Sequence, residues 1–202
     1  MLDTSVFDAV LELIKPKLHV EVGSWKGSSV VYTANKMKSI HPEGECLMLI
    51  PVDTWLGTTA AWRNVDMEKP VDGNTLKLRN GYPTVYYQFL YNIMFSKVDD
   101  IVVPLPLPGV MGAIYMEEYK VQADTVYIDG CHDEECVYQD LVAWFANLRP
   151  GGILFGDDYS SSQGVVRAVK RFCGEEPMCD VQREMMTART YVLRKQLKQG
   201  VQ

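Results

Sequence analysis

Two short apolar runs, each followed by carboxylates and separated by one helical segment, constrain the fold of this 202-residue chain more than any other feature. The runs cover residues 125–128 and 153–155, and apolar or β-branched residues dominate both. The intervening residues 136–148 place apolar side chains at helical spacing. A strand, a crossover helix and a second strand predict a βαβ unit with parallel strands, so the polar residues that follow the two strands meet at one edge of a sheet.

Three carboxylates are predicted to gather at that edge, Asp129 after the first run and Asp157 and Asp158 after the second. Like charges are costly to hold together unless a cation or a proton is shared among them. Oxygen donors suit magnesium, calcium or manganese. His132 comes shortly after Asp129, beyond the first strand and close to these acids, which favours a chemical role for its imidazole. The alternative is that the aspartates only form the turns that end their strands.

Two earlier strands are predicted to end in similar polar turns. Residues 19–23 form a strand that ends at Gly23 before a turn into a helix, and residues 46–52 form a strand that ends before Asp53. Glycine lets the backbone approach a ligand, and free N–H groups at the start of a helix favour polar or anionic groups. A carboxylate after the second strand is where nucleotide-binding folds receive a ribose. The dinucleotide and Walker spacings are absent, so an adenosine ligand without phosphates fits better.

Residues 101–105 are predicted to form a third strand. Strands and helices alternate along the chain, which predicts an α/β fold with a mostly parallel sheet covered by helices on both faces. We expect a single domain over residues 1–202, with a leading helix in 1–17 and an insertion in 56–97 that combines a lid with an aromatic helix. That helix, residues 84–95, carries more apolar surface than one face can bury. We therefore expect it to meet the substrate or another subunit, and a homodimer would account for the excess.

Charge and composition exclude several classes of partner. The formal net charge is -6 and no stretch concentrates Lys and Arg, so the sequence predicts no nucleic-acid partner. No window is apolar over the length needed to span a bilayer, and the first residues do not resemble a signal peptide, so we expect a cytoplasmic protein without a membrane partner. Five cysteines without a C-x-x-C pair are typical of reduced thiols.

Four ordered motifs, in residues 20–28, 52–57, 128–132 and 148–159, resemble those of class I S-adenosylmethionine-dependent methyltransferases. The branch that the chain resembles most contains macrocin-type sugar O-methyltransferases and relatives associated with glycosyltransferases. The resemblance extends from about residue 18 to residue 173. It implies a Rossmann-like methyltransferase fold with a seven-stranded sheet of order 3-2-1-4-5-7-6, in which the last hairpin is antiparallel.

The resemblance also implies a site for S-adenosyl-L-methionine. Glu21 and the turn at Gly23 are expected to approach the methionine part, and Asp53 is expected to bind the ribose. Trp25 and Trp55 either pack over the adenosine or fill the lid. The full set of cofactor-binding residues that the resemblance implies is Glu21, Gly23, Ser24, Trp25, Ser28, Asp53, Trp55 and Asp129.

In metal-dependent members of this family, the counterparts of Asp129, Asp157 and Asp158 hold a divalent cation, usually Mg²⁺. The resulting hypothesis is O-methylation of a hydroxylated small molecule or sugar, in which His132 or an oxygen of Asp129 accepts the hydroxyl proton. Two alternatives stay open: a metal-independent N- or carboxyl-methyltransferase, and a non-catalytic protein that binds the same cofactor. Glutamates at 134 and 135 depart from the family pattern and are expected to add negative charge beside the metal site.

Overall fold

A six-stranded sheet forms the centre of the structure, a computed structural model that describes residues 3–58, 61–62 and 76–197. The strands are β1 (Leu18–Val22), β2 (Met48–Val52), β3 (Ala123–Ile128), β4 (Leu148–Gly156), β5 (Cys179–Val181) and β6 (Tyr191–Lys195). The helices are α1 (Thr4–Ile14), α2 (Ser28–Ile40), α3 (Val85–Phe95), α4 (Gly109–Glu118), α5 (Glu134–Ala146) and α6 (Gln163–Glu175), and a short 3₁₀ turn covers Arg183–Met185.

The strand order is β2-β1-β3-β4-β6-β5. The first four of these strands are parallel, and β6 runs antiparallel to both β4 and β5. The register pairs Val22 with Val52 and with Ile128, and Ile128 with Gly156. The carboxyl ends of four strands therefore lie side by side, and the turns that follow them meet at one edge. The predicted α/β class with a mostly parallel sheet is confirmed.

The predicted strand count was wrong by one, since the described residues contain six strands. Residues 101–105 do run parallel beside β2, but only the bridges Leu49–Val102 and Val52–Leu105 form there. Pro51 of β2 has no N–H group to donate to the carbonyl of Val103, so a continuous ladder cannot develop. The expected third strand keeps its place at the edge and the rest of the predicted order holds.

Side chains on the two faces of the sheet enter separate cores, as the two-residue period of a strand requires. Val126 and Leu154 pack with Trp144 and Phe172 from α5 and α6. Their neighbours Tyr127 and Phe155 point to the other face and pack against α1. Helices on both faces thus cover the sheet, and the turns at its strand ends are left outside these two cores.

The predicted insertion over residues 56–97 is described only in part, because 59–60 and 63–75 lie outside the described residues. Its aromatic helix is confirmed as α3. The helix buries Val85, Phe89 and Ile93, while Tyr91 and Phe95 stay 61% and 75% exposed. Within the described part of the chain, no helix is both long enough and apolar enough to cross a membrane.

Candidate active site

The site is built around a close contact between two turns, one after β1 and one after β3. Gly23, directly after β1, has a φ of 86°, and a Cβ there would lie 2.4 Å from the carbonyl oxygen of Asp129. The Gly23 N–H donates to the carbonyl of Val52 at 2.9 Å, and the Asp129 N–H donates to the carbonyl of Val22 at 2.8 Å. Only glycine combines this left-handed backbone with this contact. Gly23 therefore brings the turns after β1 and β3 together.

Glu21 is a fully buried carboxyl beneath the first turn. The hydroxyl of Ser29 donates to Glu21 Oε1 at 2.6 Å, and the hydroxyl of Ser24 donates to the Glu21 carbonyl at 3.3 Å. Burial raises the pKa of Glu21 to about 8. Its Oε2 has no hydrogen-bond partner among the described residues. A buried acceptor without a donor suits a ligand that carries N–H groups, such as the ammonium of an amino acid.

The Asp53 carboxylate joins the turns that follow β1 and β2. Its Oδ2 accepts the backbone N–H of Trp25 and its Oδ1 accepts that of Trp55, each at 2.8 Å. The indole N–H of Trp55 donates to the carbonyl of Trp25, also at 2.8 Å. Both tryptophans have positive φ, 45° and 52°, a strained conformation that these contacts maintain. Asp53 is thus held at the strand ends with its remaining lone pairs available to a ligand.

The two tryptophan rings occupy different places. The Trp55 ring is 2% exposed and packs against Tyr86 and Phe89, with centroid distances of 4.8 and 4.9 Å. This ring therefore belongs to the core beneath α3. Trp25 is half-buried, with the Lys26 ammonium 5.6 Å from its ring centroid. Ser28, which was also expected near the cofactor, is exposed at the start of α2.

Asp129, His132 and Asp158 come together beyond β3 and β4, with one donor atom of each within 4.8 Å of the others. His132 Nε2 lies 2.9 Å from Asp158 Oδ2, and the imidazole is 55% exposed. The Tyr127 hydroxyl donates to Asp129 Oδ2 at 3.3 Å. Burial, and then the negative charges of Asp157 and Asp158, raise the pKa of Asp129 to about 7. Two carboxylates and an imidazole are a donor set that fits a divalent cation.

Asp157 lies beside this group but has a different partner. Its buried carboxylate receives the guanidinium of Arg189, with Nε 2.6 Å from Oδ1 and Nη2 2.6 Å from Oδ2. The donor group therefore contains His132 where the sequence predicted Asp157. Sequence reasoning missed Arg189, because nothing in the pattern of residues 176–195 indicates which face of the hairpin turns toward β4.

The two glutamates at the start of α5 are charge-paired in the structure. Glu134 pairs with Arg167 of α6, and Glu135 lies 3.0 Å from the guanidinium of Arg171. Both pairs are exposed to solvent and lie on the helix surfaces. Arginines on the neighbouring helix therefore offset the negative charge that these glutamates were expected to add beside the acidic group.

A cavity of about 380 Å³ opens beside the glycine turn. Lys26 of that turn lines one side, and Thr84, Tyr87, Gln88 and Tyr91, at the start and along one face of α3, line the other. The Asn92 amide donates to the Lys26 carbonyl at 2.8 Å, which ties α3 to the turn. A volume of this size accommodates a small organic molecule.

Comparisons with known proteins agree with this geometry. The family model described as "Methyltransferase domain" matches residues 20–159. No curated protein matches the chain by sequence. Among solved structures, an O-methyltransferase from Bacillus cereus in complex with SAH has a TM-score of 0.63 at 12% identity, covering 96% of this chain and 81% of that chain.

Two further solved structures extend the likeness. The O-methyltransferase TomG from Streptomyces achromogenes, in complex with SAM and involved in tomaymycin synthesis, has a TM-score of 0.61 at 10% identity, covering 96% of this chain and 78% of that chain. CalS11, a TDP-rhamnose 3'-O-methyltransferase of calicheamicin biosynthesis, has a TM-score of 0.62 at 18% identity, covering 95% and 78%. At these identities the structures share the fold with this chain.

Proposed function

The chain belongs to the class I S-adenosylmethionine-dependent methyltransferases, and on that basis we propose that it methylates a hydroxyl oxygen of a small molecule or sugar with the help of a divalent cation. The observation that carries the proposal is the group of Asp129, His132 and Asp158 at the strand ends, next to the glycine turn. An enzyme of this family that moved a methyl group without activating a hydroxyl would not need such a donor group there.

S-adenosylmethionine supplies a methyl group on a sulfonium, and four features of the chain fit its parts. Glu21 offers a buried acceptor to the methionine ammonium. The turn at Gly23, which packs against the Asp129 backbone, presents its own backbone to the methionine. Asp53 presents carboxylate oxygens to the ribose hydroxyls. Trp25, half-buried beside them, covers the ligand. The neighbouring Ser24 and Ser28 complete the proposed cofactor site.

Asp129, His132 and Asp158 are the residues that would hold the cation. A divalent cation at such a site lowers the pKa of a bound alcohol and fixes its direction. We assign proton acceptance to an oxygen of Asp129 that the cation does not hold, since this carboxylate lies in the same group as the other proposed cation ligands. Asp157 balances charge through Arg189 and takes no direct part.

The cavity between the glycine turn and α3, whose lining does not include Asp129, His132 or Asp158, is proposed to hold the part of the acceptor that is remote from the reacting hydroxyl. Its volume of about 380 Å³ suits a small molecule, and its lining includes two tyrosines, a glutamine and two lysines as hydrogen-bond donors. A hydroxylated ring can pack against the tyrosine rings and accept hydrogen bonds from the polar groups of the same lining. The likeness to CalS11, a TDP-rhamnose 3'-O-methyltransferase, supports a sugar as one acceptor class.

The far end of α3 is proposed to contact a second copy of the chain. The helix contains no charged residue, and Met94 and Phe95 are exposed by 65% and 75%. Tyr91 and Phe95 stack at 5.8 Å, which makes a continuous apolar patch. A neutral patch is where two copies of an acidic protein meet with the least repulsion.

Formation of S-adenosylhomocysteine from S-adenosylmethionine and a panel of catechols and deoxysugar glycosides tests the proposal. We expect turnover with a divalent cation and its loss with chelator. Asp158→Asn should abolish turnover while leaving the calorimetric affinity for S-adenosylhomocysteine within twofold, and the exposed Asp99→Asn serves as the control. Full turnover in chelator, or in Asp158→Asn, would reject the metal-assisted mechanism and favour metal-independent transfer to nitrogen or a carboxylate.

A further inference from the structure

Arg189 reaches the site from the last hairpin and occupies Asp157 completely. Both oxygens of the Asp157 carboxylate face the guanidinium at 2.6 Å, and Oδ1 also accepts the backbone N–H of Asp158 at 2.8 Å. The Asp157 side chain is only 6% exposed. A bidentate arginine–carboxylate pair of this kind is among the strongest polar contacts in proteins. Asp157 therefore has little capacity left for another cation.

The arginine is held in place through its own backbone. Its carbonyl accepts the N–H of Tyr159 at 2.8 Å, and its N–H donates to the hydroxyl of Thr187 at 3.3 Å. Thr187 is anchored in turn by donation to Asp3 Oδ2 at 2.8 Å. The hairpin backbone is thus fixed against the turn that carries Asp157 and Asp158, with the Arg189 side chain within reach of the Asp157 carboxylate.

Adjacent carboxylates consequently have different roles. Asp158 has a φ of 58°, a left-handed conformation uncommon for aspartate, and its carboxylate lies 2.9 Å from the imidazole of His132. Asp157 points to Arg189. The three carboxylates at this edge and one guanidinium leave two negative charges, which one divalent cation balances.

We propose that Arg189 is a positioning residue that withholds Asp157 from the metal and leaves a donor set of two carboxylates and one imidazole, which selects Mn²⁺ over Mg²⁺. The inference rests on the proposed function and concerns the same site. Imidazole suits the transition metals, whereas Mg²⁺ prefers oxygen ligands throughout. Were Asp157 released, the site would offer a third carboxylate and lose a neighbouring positive charge, and both changes favour Mg²⁺.

Calorimetric titration of Mn²⁺ and Mg²⁺ into the full chain, in the presence of S-adenosylhomocysteine, tests this assignment. The wild type should bind Mn²⁺ at least tenfold more tightly than Mg²⁺. Asp157→Asn and Asp158→Asn form a matched pair, since the residues are adjacent and lose the same charge. The Mn²⁺ affinity should fall more than tenfold in Asp158→Asn, which loses a ligand, and should fall clearly less in Asp157→Asn, which loses only a neighbouring charge.

Arg189→Met supplies the converse test, because it frees Asp157. Its Mg²⁺ affinity should rise at least tenfold, and its melting temperature should increase more with added Mg²⁺ than that of the wild type, as the cation compensates the unpaired buried carboxylate. Asp157→Asn keeps the assignment testable if Arg189→Met does not fold.

The outcomes separate the inference from the proposed function. Mn²⁺ binding that falls equally in Asp157→Asn and Asp158→Asn would overturn the role of Arg189 alone, and so would a wild type that prefers Mg²⁺. Titrations without heat from either ion, in the wild type and in Arg189→Met, would overturn both this inference and the metal-assisted mechanism.

Discussion

Gly23→Ala is the most direct test of how the site is built. The added Cβ would lie 2.4 Å from the Asp129 carbonyl oxygen and 2.4 Å from the Gly130 Cα, whereas ordinary contacts begin near 3.4 Å. Both neighbours are backbone atoms, so no side chain can rotate away. The turns after β1 and β3 must therefore separate by about 1 Å.

Two costs add in this variant. A left-handed φ costs an L-residue roughly 1–2 kcal/mol, and overpacking costs about 1–3 kcal/mol more. Gly44→Ala is the matched control, because Gly44 has a φ of 84° and nothing within 4 Å of its Cβ position. The control should lose only the first amount. The free energy of unfolding of Gly23→Ala should thus lie about 1–3 kcal/mol below that of Gly44→Ala.

Chemical denaturation of both variants measures this difference, and calorimetry with S-adenosylhomocysteine measures its functional effect. Separation of the turns should weaken cofactor binding in Gly23→Ala and leave it unchanged in Gly44→Ala. Equal stabilities in the two variants would refute the reasoning, since the contact with Asp129 would then cost nothing.

Three further predictions concern other residues. Burial raises the pKa of Asp140 from 3.8 to about 7, so the unfolded chain loses this proton at lower pH than the folded chain, and the stability of the wild type falls as pH rises from about 4 to about 7. Asp140→Asn lacks this proton, so the difference in free energy of unfolding between Asp140→Asn and the wild type should shift in favour of the variant by about 1 kcal/mol or more between pH 5 and pH 8. Denaturation at both pH values measures this shift, and a difference that stays constant would contradict the prediction. Glu21→Gln should weaken calorimetric binding of S-adenosylhomocysteine about tenfold or more, whereas the exposed Glu43→Gln should not, and equal affinities would remove Glu21 from the ammonium site. Phe95→Glu should convert a dimer to a monomer in sedimentation at micromolar concentrations, with Leu13→Glu on α1 as the exposed control; a wild type that sediments as a monomer would rule the contact out.

The sequence predicted the edge of the sheet well, because apolar runs followed by turn residues mark strand ends. Glu21, Asp53, Asp129 and Asp158 all lie at that edge, where the runs placed them. The strand count failed at residues 101–105, although the signal was present. Proline at 51 in the neighbouring strand indicates a broken ladder, and the apolar character of both runs hid it.

Side-chain partners were beyond the reach of sequence patterns. Arg189 meets Asp157 across 32 positions, and the pairing depends on the register of an antiparallel hairpin that periodicity does not fix. The partners of Asp53 are backbone N–H groups, which every residue carries and no motif distinguishes. The burial of the Trp55 ring likewise depends on how α3 docks.

The hydrogen bonds around Trp55 link the turn proposed to bind the cofactor to α3, the helix proposed to line the site of the methyl acceptor. Its ring is wedged beneath α3, while its two N–H groups hold Asp53 and the carbonyl of Trp25. A molecule that shifts α3 must therefore also displace the carboxylate proposed for the ribose. Occupancy of either half then alters affinity for the other, and thermodynamic reciprocity makes the factor the same in both directions.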